Sequence, residues 1–171
     1  MAYTVKSGAR MNPHLSQAAE KIAALLPFDI VITSGVRDAR EQAQAMFTKI
    51  IGGDNLIAVY ADDSFAQGVM DAYPDLDEAT QFVQSYFDVG KGSNHGKGDA
   101  LDVRTTGGSS GQLTETQIAE LIDATNSLGY WSLREYVPPH LHVRVPRVES
   151  TIKKNLPLLA VVLGGIWISR K

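Results

Sequence analysis

The chain of 171 residues contains no cysteine. This absence excludes disulfide bridges, metal sites built on thiolates and cysteine nucleophiles, and it makes the fold independent of the redox state of its surroundings. An excess of basic residues is missing as well, because the net charge is −3 and the isoelectric point is about 5.8. Proteins that bind nucleic acids broadly carry a basic surface, so we expect no nucleic-acid partner.

An apolar leader segment is also missing. Residues 1–6 do not form the apolar stretch of a secretory signal, so we expect no signal peptide. The length, with 44% hydrophobic and 20% charged residues, indicates one globular domain with a core of its own. Such a protein must reach its substrate by a route other than signal-directed secretion.

Hydrophobic spacing predicts the elements of an α+β domain. Apolar residues that recur with a period near 3.6 predict helices at 13–26, 40–51 and 114–128. Short apolar and β-branched runs predict strands at 28–33, 100–104, 130–134 and 140–145. Thr114 followed by Gln117 is typical of a helical capping box. The order of these elements predicts a small antiparallel sheet flanked by helices.

Two segments differ from the rest of the chain. Residues 54–88 are polar and acidic, and we interpret them as an insertion between core elements, with helices near 63–72 and 76–87. The last residues, 149–171, form a hydrophobic tail flanked by basic residues. The sequence therefore predicts a domain at 1–148 followed by a tail.

The tail contains an uncharged apolar run at 156–168. As a helix, its 13 residues would span about 20 Å, which is short of the ~30 Å hydrocarbon core of a bilayer. Flanking lysine and arginine side chains can extend that reach. Two interpretations stay open: a lipid-membrane anchor, or a strand or docking helix that belongs to the core.

Three of the four histidines fall in two short motifs with metal-binding spacing. His95 and Asp102 are seven residues apart, in a glycine-containing segment that leads into a predicted strand. His140 and His142 are two residues apart, so on a strand both point to the same face. Two imidazoles and one carboxylate suit Zn²⁺, and three protein ligands leave a fourth position for water, as hydrolysis requires.

Individual residues in and near these motifs allow more than one interpretation. Asp102 lies between apolar residues, where a carboxylate must be paired or bind a metal. The alternative to a metal is a salt bridge with Arg104 or Arg144. Of the two histidines in the second motif, one suffices for the metal, and the other can donate a hydrogen bond to a tetrahedral intermediate. Glu135 is the nearest upstream carboxylate, either a general base or a solvated residue beside Arg134.

The combined pattern resembles a known family. The run at 93–102 (Ser-Asn-His-Gly-Lys-Gly-Asp-Ala-Leu-Asp), followed by His-Leu-His at 140–142, is similar to the motif of the LAS zinc peptidases. These include D-alanyl-D-alanine carboxypeptidases, phage L-alanyl-D-glutamate endolysins, lysostaphin-type endopeptidases and the hedgehog signalling domain. Thr-Ser-Gly-Val-Arg at 33–37, with Gln42 downstream, resembles the Ser-Gly-Tyr-Arg strand end of the carboxypeptidase branch. The resemblance covers residues 12–146.

The resemblance implies a role for each residue of the motif, and it implies a zinc site on the sheet of a LAS or hedgehog-like fold. The implied zinc ligands are His95, Asp102 and His142. Among the other implied site residues, Arg37 holds the substrate's carboxylate or stabilises the transition state, and His140 is a catalytic histidine outside the metal ligands. Gln42 is implied to contact the substrate, and Ser93 to contact the substrate or to order the loop that carries it.

One position departs from the family pattern. Many relatives carry a glutamate or aspartate three residues before the last zinc ligand, and this chain has Pro139 there. Glu135, seven residues before His142, is then the expected general base, in a more hedgehog-like arrangement.

The resemblance predicts a zinc-dependent peptidase that cleaves an amide bond in the stem or cross-link peptide of bacterial peptidoglycan. A small chain without a signal peptide or cysteine fits a phage lytic or virion protein. We expect it first in the host cytoplasm and then in the periplasm or cell wall. The other expected location is a virion, which can be membrane-associated. The alternative is a zinc-stabilised, non-catalytic protein that binds cell wall or builds the virion.

Overall fold

The computed structural model describes residues 2–105, 112–136 and 138–147, so the predicted tail lies outside the described residues. Within these ranges the strands are β1 (Tyr3–Val5), β2 (Ile30–Ser34), β3 (Ala100–Arg104), β4 (Trp131–Tyr136) and β5 (Pro139–Arg144). The helices are α1 (Pro13–Ala24), α2 (Ala39–Ile51), α3 (Leu56–Val59), α4 (Asp63–Ala72), α5 (Leu76–Asp88) and α6 (Glu115–Ser127). No helix in the described part of the chain is both long and apolar enough to cross a bilayer.

The five strands form one sheet in the order β1-β2-β3-β5-β4. The α+β class is confirmed, but the prediction of an antiparallel sheet is wrong at one edge, because β1 pairs with β2 in parallel. A parallel pair needs a crossover connection, and α1 supplies it between these two strands. With only three residues, β1 is too short for an alternating pattern to reveal it in the sequence.

Local signals explain where the helices begin and end. Thr114 accepts a hydrogen bond from the N–H of Gln117, whose side chain accepts one from the N–H of Thr114, so the predicted capping box is confirmed. A similar box begins α2. Helix α1 ends at Ala24, two residues earlier than predicted. The residue that precedes Pro27 is disfavoured in a helix, which accounts for the earlier end.

The sheet separates an apolar face from a polar one. Four strand residues without exposed surface pack in one cluster with α1 and α6: Leu101, Val103, Leu141 and Val143. Full burial of a side chain of this size contributes about 1.5–3 kcal/mol. Because successive strand residues point to opposite faces, Asp102 on β3 and His140 and His142 on β5 lie on the other side of the sheet.

Helices α2 to α5 form a second apolar cluster around Phe65. The predicted helices near 63–72 and 76–87 are confirmed at Asp63–Ala72 and Leu76–Asp88. The single turn of α3 carries too few residues for a helical pattern and was not predicted. Residues of this cluster and the polar face of the sheet line one common cleft.

Gly35, which follows β2, allows a close approach between two segments near the cleft. A Cβ atom at this position would lie 2.2 Å from the carbonyl oxygen of Arg10 and 2.9 Å from Sδ of Met11. We expect Gly35→Ala to lower the free energy of unfolding by about 1–3 kcal/mol, because the backbone must shift to admit the methyl group. Thermal denaturation will measure the change. Gly52→Ala at the end of α2 is the control, and an equal melting temperature for both variants would contradict the expectation.

Candidate metal centre

Two strands and one loop bring the predicted ligands together. Asp102 on β3 lies opposite His142 on β5 in the antiparallel register, and His140 is two residues earlier on β5. His95 comes from the loop between α5 and β3. Both His95 and Asp102 are buried, with 4% and 2% of their surface exposed.

Three ligand atoms converge in front of this face of the sheet. Nε2 of His95 lies 3.1 Å from Oδ1 of Asp102 and 3.2 Å from Nδ1 of His142. The same Nδ1 lies 3.0 Å from Oδ1 of Asp102. These atoms form a small triangle whose geometry could hold a metal ion.

The ring of His95 directs one nitrogen at the backbone and the other at Asp102. Its Nδ1 lies 2.6 Å from the carbonyl oxygen of Gly35, which assigns the ring proton to Nδ1. Burial lowers the pKa of His95, although Asp102 beside it acts in the opposite direction. The ring is therefore neutral, and its Nε2 presents a lone pair to a carboxylate oxygen. Two lone pairs at 3.1 Å repel each other unless a cation, or a proton on the neighbouring Nδ1 of His142, offsets the repulsion, so the arrangement is compatible with a metal ion.

Arg37 holds the second carboxylate oxygen of Asp102. Its Nη2 donates to Oδ2 of Asp102 at 2.6 Å, and its Nε donates to Oγ of Ser34 at 2.9 Å. The cationic partner of Asp102 is therefore Arg37, and not Arg104 or Arg144. Burial acts to raise the pKa of Asp102, but the groups that contact the carboxylate, among them the hydrogen-bonded ring of His142, hold that pKa well below its usual range. The carboxylate is charged and its Oδ1 is directed at the other two ligands.

His140 and Glu135 lie beside the triangle and form a second group with His142. Nδ1 of His140 lies 2.6 Å from the carbonyl oxygen of Pro138. Nε2 of the same ring lies 3.4 Å from Oδ1 of Asp102 and 3.5 Å from Oε2 of Glu135. The backbone contact at Pro138 thus turns Nε2 toward both carboxylates.

Glu135 is not a solvated surface residue. Its side chain is 13% exposed, and its Oε2 contacts Nζ of Lys49, a buried lysine in the last turn of α2. Nζ of Lys49 also lies 3.7 Å from Asp54. Arg134, the neighbour of Glu135 on β4, pairs with Glu115 instead. The carboxylate of Glu135 is therefore held on the metal-bearing side of the sheet.

Ser93 and Gln42 are joined in a buried chain of hydrogen bonds. Oγ of Ser93 accepts from the N–H of Gly96 at 3.1 Å and donates to Oε1 of Gln42 at 2.8 Å. Nε2 of Gln42 donates to the hydroxyl oxygen of Tyr60 at 3.0 Å. Gln42 has no exposed surface. The chain therefore runs from the loop of His95 to Tyr60, which lines the cleft.

Two residues of this site were not identified from the sequence, Lys49 and Tyr60. Gln42 and Lys49 are seven residues apart, two helical turns, so they share one face of α2 with the buried residues Ala43 and Met46. Polar residues on an otherwise apolar helical face are a signal that could have found Lys49. Tyr60 follows the single turn of α3, where no periodic pattern applies.

The side chains described above line a cleft of about 720 Å³. The sheet contributes Trp131 and Leu133, which are partly exposed, and the facing wall comes from α2 and the segment after α3. A cleft of this volume accommodates a ligand the size of a short peptide. Three metal-ligating groups, a carboxylate and a guanidinium therefore meet in one space that a ligand can enter.

Comparisons with protein-family models, with curated proteins and with solved structures yield no match for this chain. The geometry of the cleft is therefore the basis on which a function can be inferred.

Loss of any one of the three ligands is expected to abolish stoichiometric metal binding. His95→Ala, Asp102→Ala and His142→Ala should each weaken affinity by more than about 100-fold, because even groups that only support a ligand contribute roughly 10–100-fold. Elemental analysis after dialysis and competition with a chromophoric chelator will measure this. His14→Ala is the control, since that ring contacts the carbonyl of Val145. Full metal content in His95→Ala would disprove the ligand assignment.

The metal-free protein is expected to lose stability as the pH falls below about 6.5, the ordinary pKa of histidine. Because the pKa of His95 is lowered in the fold, the unfolded chain takes up a proton that the folded chain does not, and acid favours unfolding. The slope from this residue is at most about 1.4 kcal/mol per pH unit. Thermal unfolding in chelator will measure it. His95→Asn should flatten the dependence, and an unchanged slope in this variant would refute the assignment.

Proposed function

We propose that this chain is a zinc-dependent peptidase that cleaves an amide bond in the stem or cross-link peptide of bacterial peptidoglycan. The observation that carries the proposal is the triangle of ligand atoms from His95, Asp102 and His142, with the half-buried carboxylate of Glu135 beside it. The resemblance of the sequence motifs to the LAS zinc peptidases supports the same activity. A phage protein that acts in lysis or entry fits this chemistry.

Zinc is the metal that we infer for this centre. Two imidazoles and one carboxylate are a ligand set that Zn²⁺ accepts. In a tetrahedral zinc site with bonds of about 2.0–2.1 Å, the ligand atoms lie roughly 3.3 Å apart. The distances of 3.0–3.2 Å among the three ligand atoms are close to this value. Ca²⁺ and Mg²⁺ prefer a shell of oxygen atoms, which this site does not offer.

Bound zinc would supply Lewis acidity, which activates water and polarises the carbonyl group of the scissile amide. The chain itself must move the protons. As the water oxygen bonds to the carbonyl carbon, Glu135 accepts a proton from it, and as the C–N bond breaks, Glu135 returns that proton to the leaving nitrogen. The products are one carboxylic acid and one amine, and the glutamate is regenerated.

His140 and Arg37 are placed to stabilise negative charge. Nδ1–H of His140 already donates to Pro138, so donation to an oxyanion uses a second proton on Nε2. Nε2 lies 3.5 Å from Oε2 of Glu135, so the two groups face the same side of the candidate metal centre. Arg37 is 17% exposed and uses two of its five N–H groups within the protein. Its remaining donors can bind a substrate carboxylate.

One observation favours a second function, namely the ion pair between Lys49 and Glu135. Nζ of Lys49 contacts Oε2 of Glu135, the same oxygen that lies 3.5 Å from Nε2 of His140, so the ion pair occupies the oxygen that a general base would use. This favours a metal-stabilised protein that binds cell wall, or builds a virion, without catalysis. The two functions differ in whether the metal-loaded protein turns over.

Glu135→Gln is expected to lower kcat by about 100- to 10,000-fold, because the amide cannot accept the proton. The zinc content should remain at one ion per chain, since Glu135 is outside the ligand triangle. The measurement is the release of new amino groups from purified peptidoglycan by zinc-loaded protein.

Glu115→Gln is the matched control for this experiment, because Glu115 is also paired with a cation but is exposed and distant from the metal centre. Its rate should equal that of the wild type. A wild-type rate in Glu135→Gln would show that another group is the base. If zinc-loaded wild type releases no amino groups yet sediments with cell walls, the non-catalytic function is correct.

A further inference from the structure

Tyr60 lies at the C-terminal end of α3, where its backbone N–H donates to the carbonyl of Leu56 at 2.9 Å. Its ring packs edge-on against Phe65, with 5.9 Å between the ring centroids. This packing fixes the ring in the wall of the cleft that also contains His95 and Glu135. The residue therefore belongs to both the second apolar cluster and the cleft.

The hydrogen-bond chain that reaches Tyr60 has a forced direction. Oε1 of Gln42 can only accept, so Ser93 must donate to it. Nε2 of Gln42 can only donate, so the hydroxyl oxygen of Tyr60 must be the acceptor. The hydroxyl proton of Tyr60 is therefore not used in this chain and remains available for one further acceptor.

Among residues 2–105, 112–136 and 138–147, the structure shows no acceptor for that proton. Burial raises the pKa of the Tyr60 hydroxyl far above its ordinary value, and this outweighs the opposing charge of Arg37. The hydroxyl is therefore a neutral donor at neutral pH. Tyr60 lines the same cleft as Glu135 and Asp102.

We propose that the Tyr60 hydroxyl donates a hydrogen bond to the reacting carbonyl oxygen of a bound peptide, and that Gln42 and Ser93 orient it. The inference rests on the proposed peptidase function and adds to it a catalytic residue that contacts substrate. A fixed donor gains strength as negative charge develops on the oxygen, because it needs no reorganisation during the reaction. Gln42 and Ser93 are then positioning residues, which act through Tyr60 and do not contact substrate.

Tyr60→Phe removes the proton and leaves the ring packing in place. We expect kcat on peptidoglycan to fall about 100-fold, as for other single donors to a developing oxyanion, with zinc content and melting temperature unchanged. The matched control is Tyr86→Phe, whose ring packs against the same Phe65 at 5.1 Å but lies outside the residues that line the cleft. Equal rates for Tyr60→Phe and wild type would overturn the proposal, as would an equal loss in Tyr86→Phe.

Gln42→Glu tests the direction of the chain. A carboxylate accepts only, so it would take the Tyr60 proton away from the cleft while the phenol stays in place. We expect a loss of rate similar to that of Tyr60→Phe, and almost no further loss when the two substitutions are combined. Losses that multiply in the folded double variant would show that Gln42 does not act through Tyr60.

A binding measurement separates this inference from the proposed function. Calorimetry of zinc-loaded protein with a phosphinate analogue of D-alanyl-D-alanine, whose tetrahedral phosphorus imitates the attacked carbonyl, requires no turnover. We expect Tyr60→Phe to bind it about tenfold more weakly than wild type or Tyr86→Phe. If wild type binds it without hydrolysing peptidoglycan, weaker binding by Tyr60→Phe supports the donor role while the peptidase function fails. Equal binding by both proteins overturns the donor role.

Discussion

The metal centre depends on the burial of one charged carboxylate, that of Asp102. A charge in the protein interior is costly unless each of its oxygens meets a compensating group. Oδ2 accepts from Arg37 at 2.6 Å, while Oδ1 is approached by nitrogen atoms of three imidazoles at 3.0–3.4 Å. Because His95 directs a lone pair at Oδ1, the protein groups leave this oxygen incompletely compensated. A bound cation would complete the compensation, and the β3–β5 register and the loop of His95 are arranged around the position that it would take.

Helix α2 connects this centre to the rest of the molecule. Its buried face packs into the second apolar cluster through Ala43 and Met46, and the same face carries Gln42 and Lys49. These polar side chains are buried against the cleft, where one holds the hydroxyl of Tyr60 and the other the carboxylate of Glu135. The acidic segment that appeared to be an insertion therefore helps to form the cleft. Its apolar residues fix the wall of the cleft that carries Tyr60.

The α+β class and most helices could be predicted because their signals are local. The apolar residues that specify a helix lie within that helix, and its capping residues lie within one or two turns of its end. Thr114 and Gln117 are an example of such capping residues. The short strand β1 could not be predicted, since three residues carry no period and its partner begins 27 residues later. The parallel pairing depends on α1, which connects β1 to β2 as a crossover. Helix α1 was predicted two residues too long because apolar periodicity continues beyond Ala24, where Pro27 already limits the backbone.

The sequence by itself identified side chains that could hold a metal ion. Alternation on a strand puts His140 and His142 on one face, and a carboxylate at Asp102 between apolar neighbours requires a compensating charge. Tertiary structure decided which partners these side chains have. Arg37 and Asp102 are 65 residues apart in the chain, and Lys49 and Glu135 are 86 residues apart. The electrostatic interaction between two such groups depends on their distance and burial, and no local sequence pattern encodes either quantity. The roles of Gln42, Ser93 and Tyr60 were decided in the same way, because the direction of a hydrogen bond is defined only when both partners are in place.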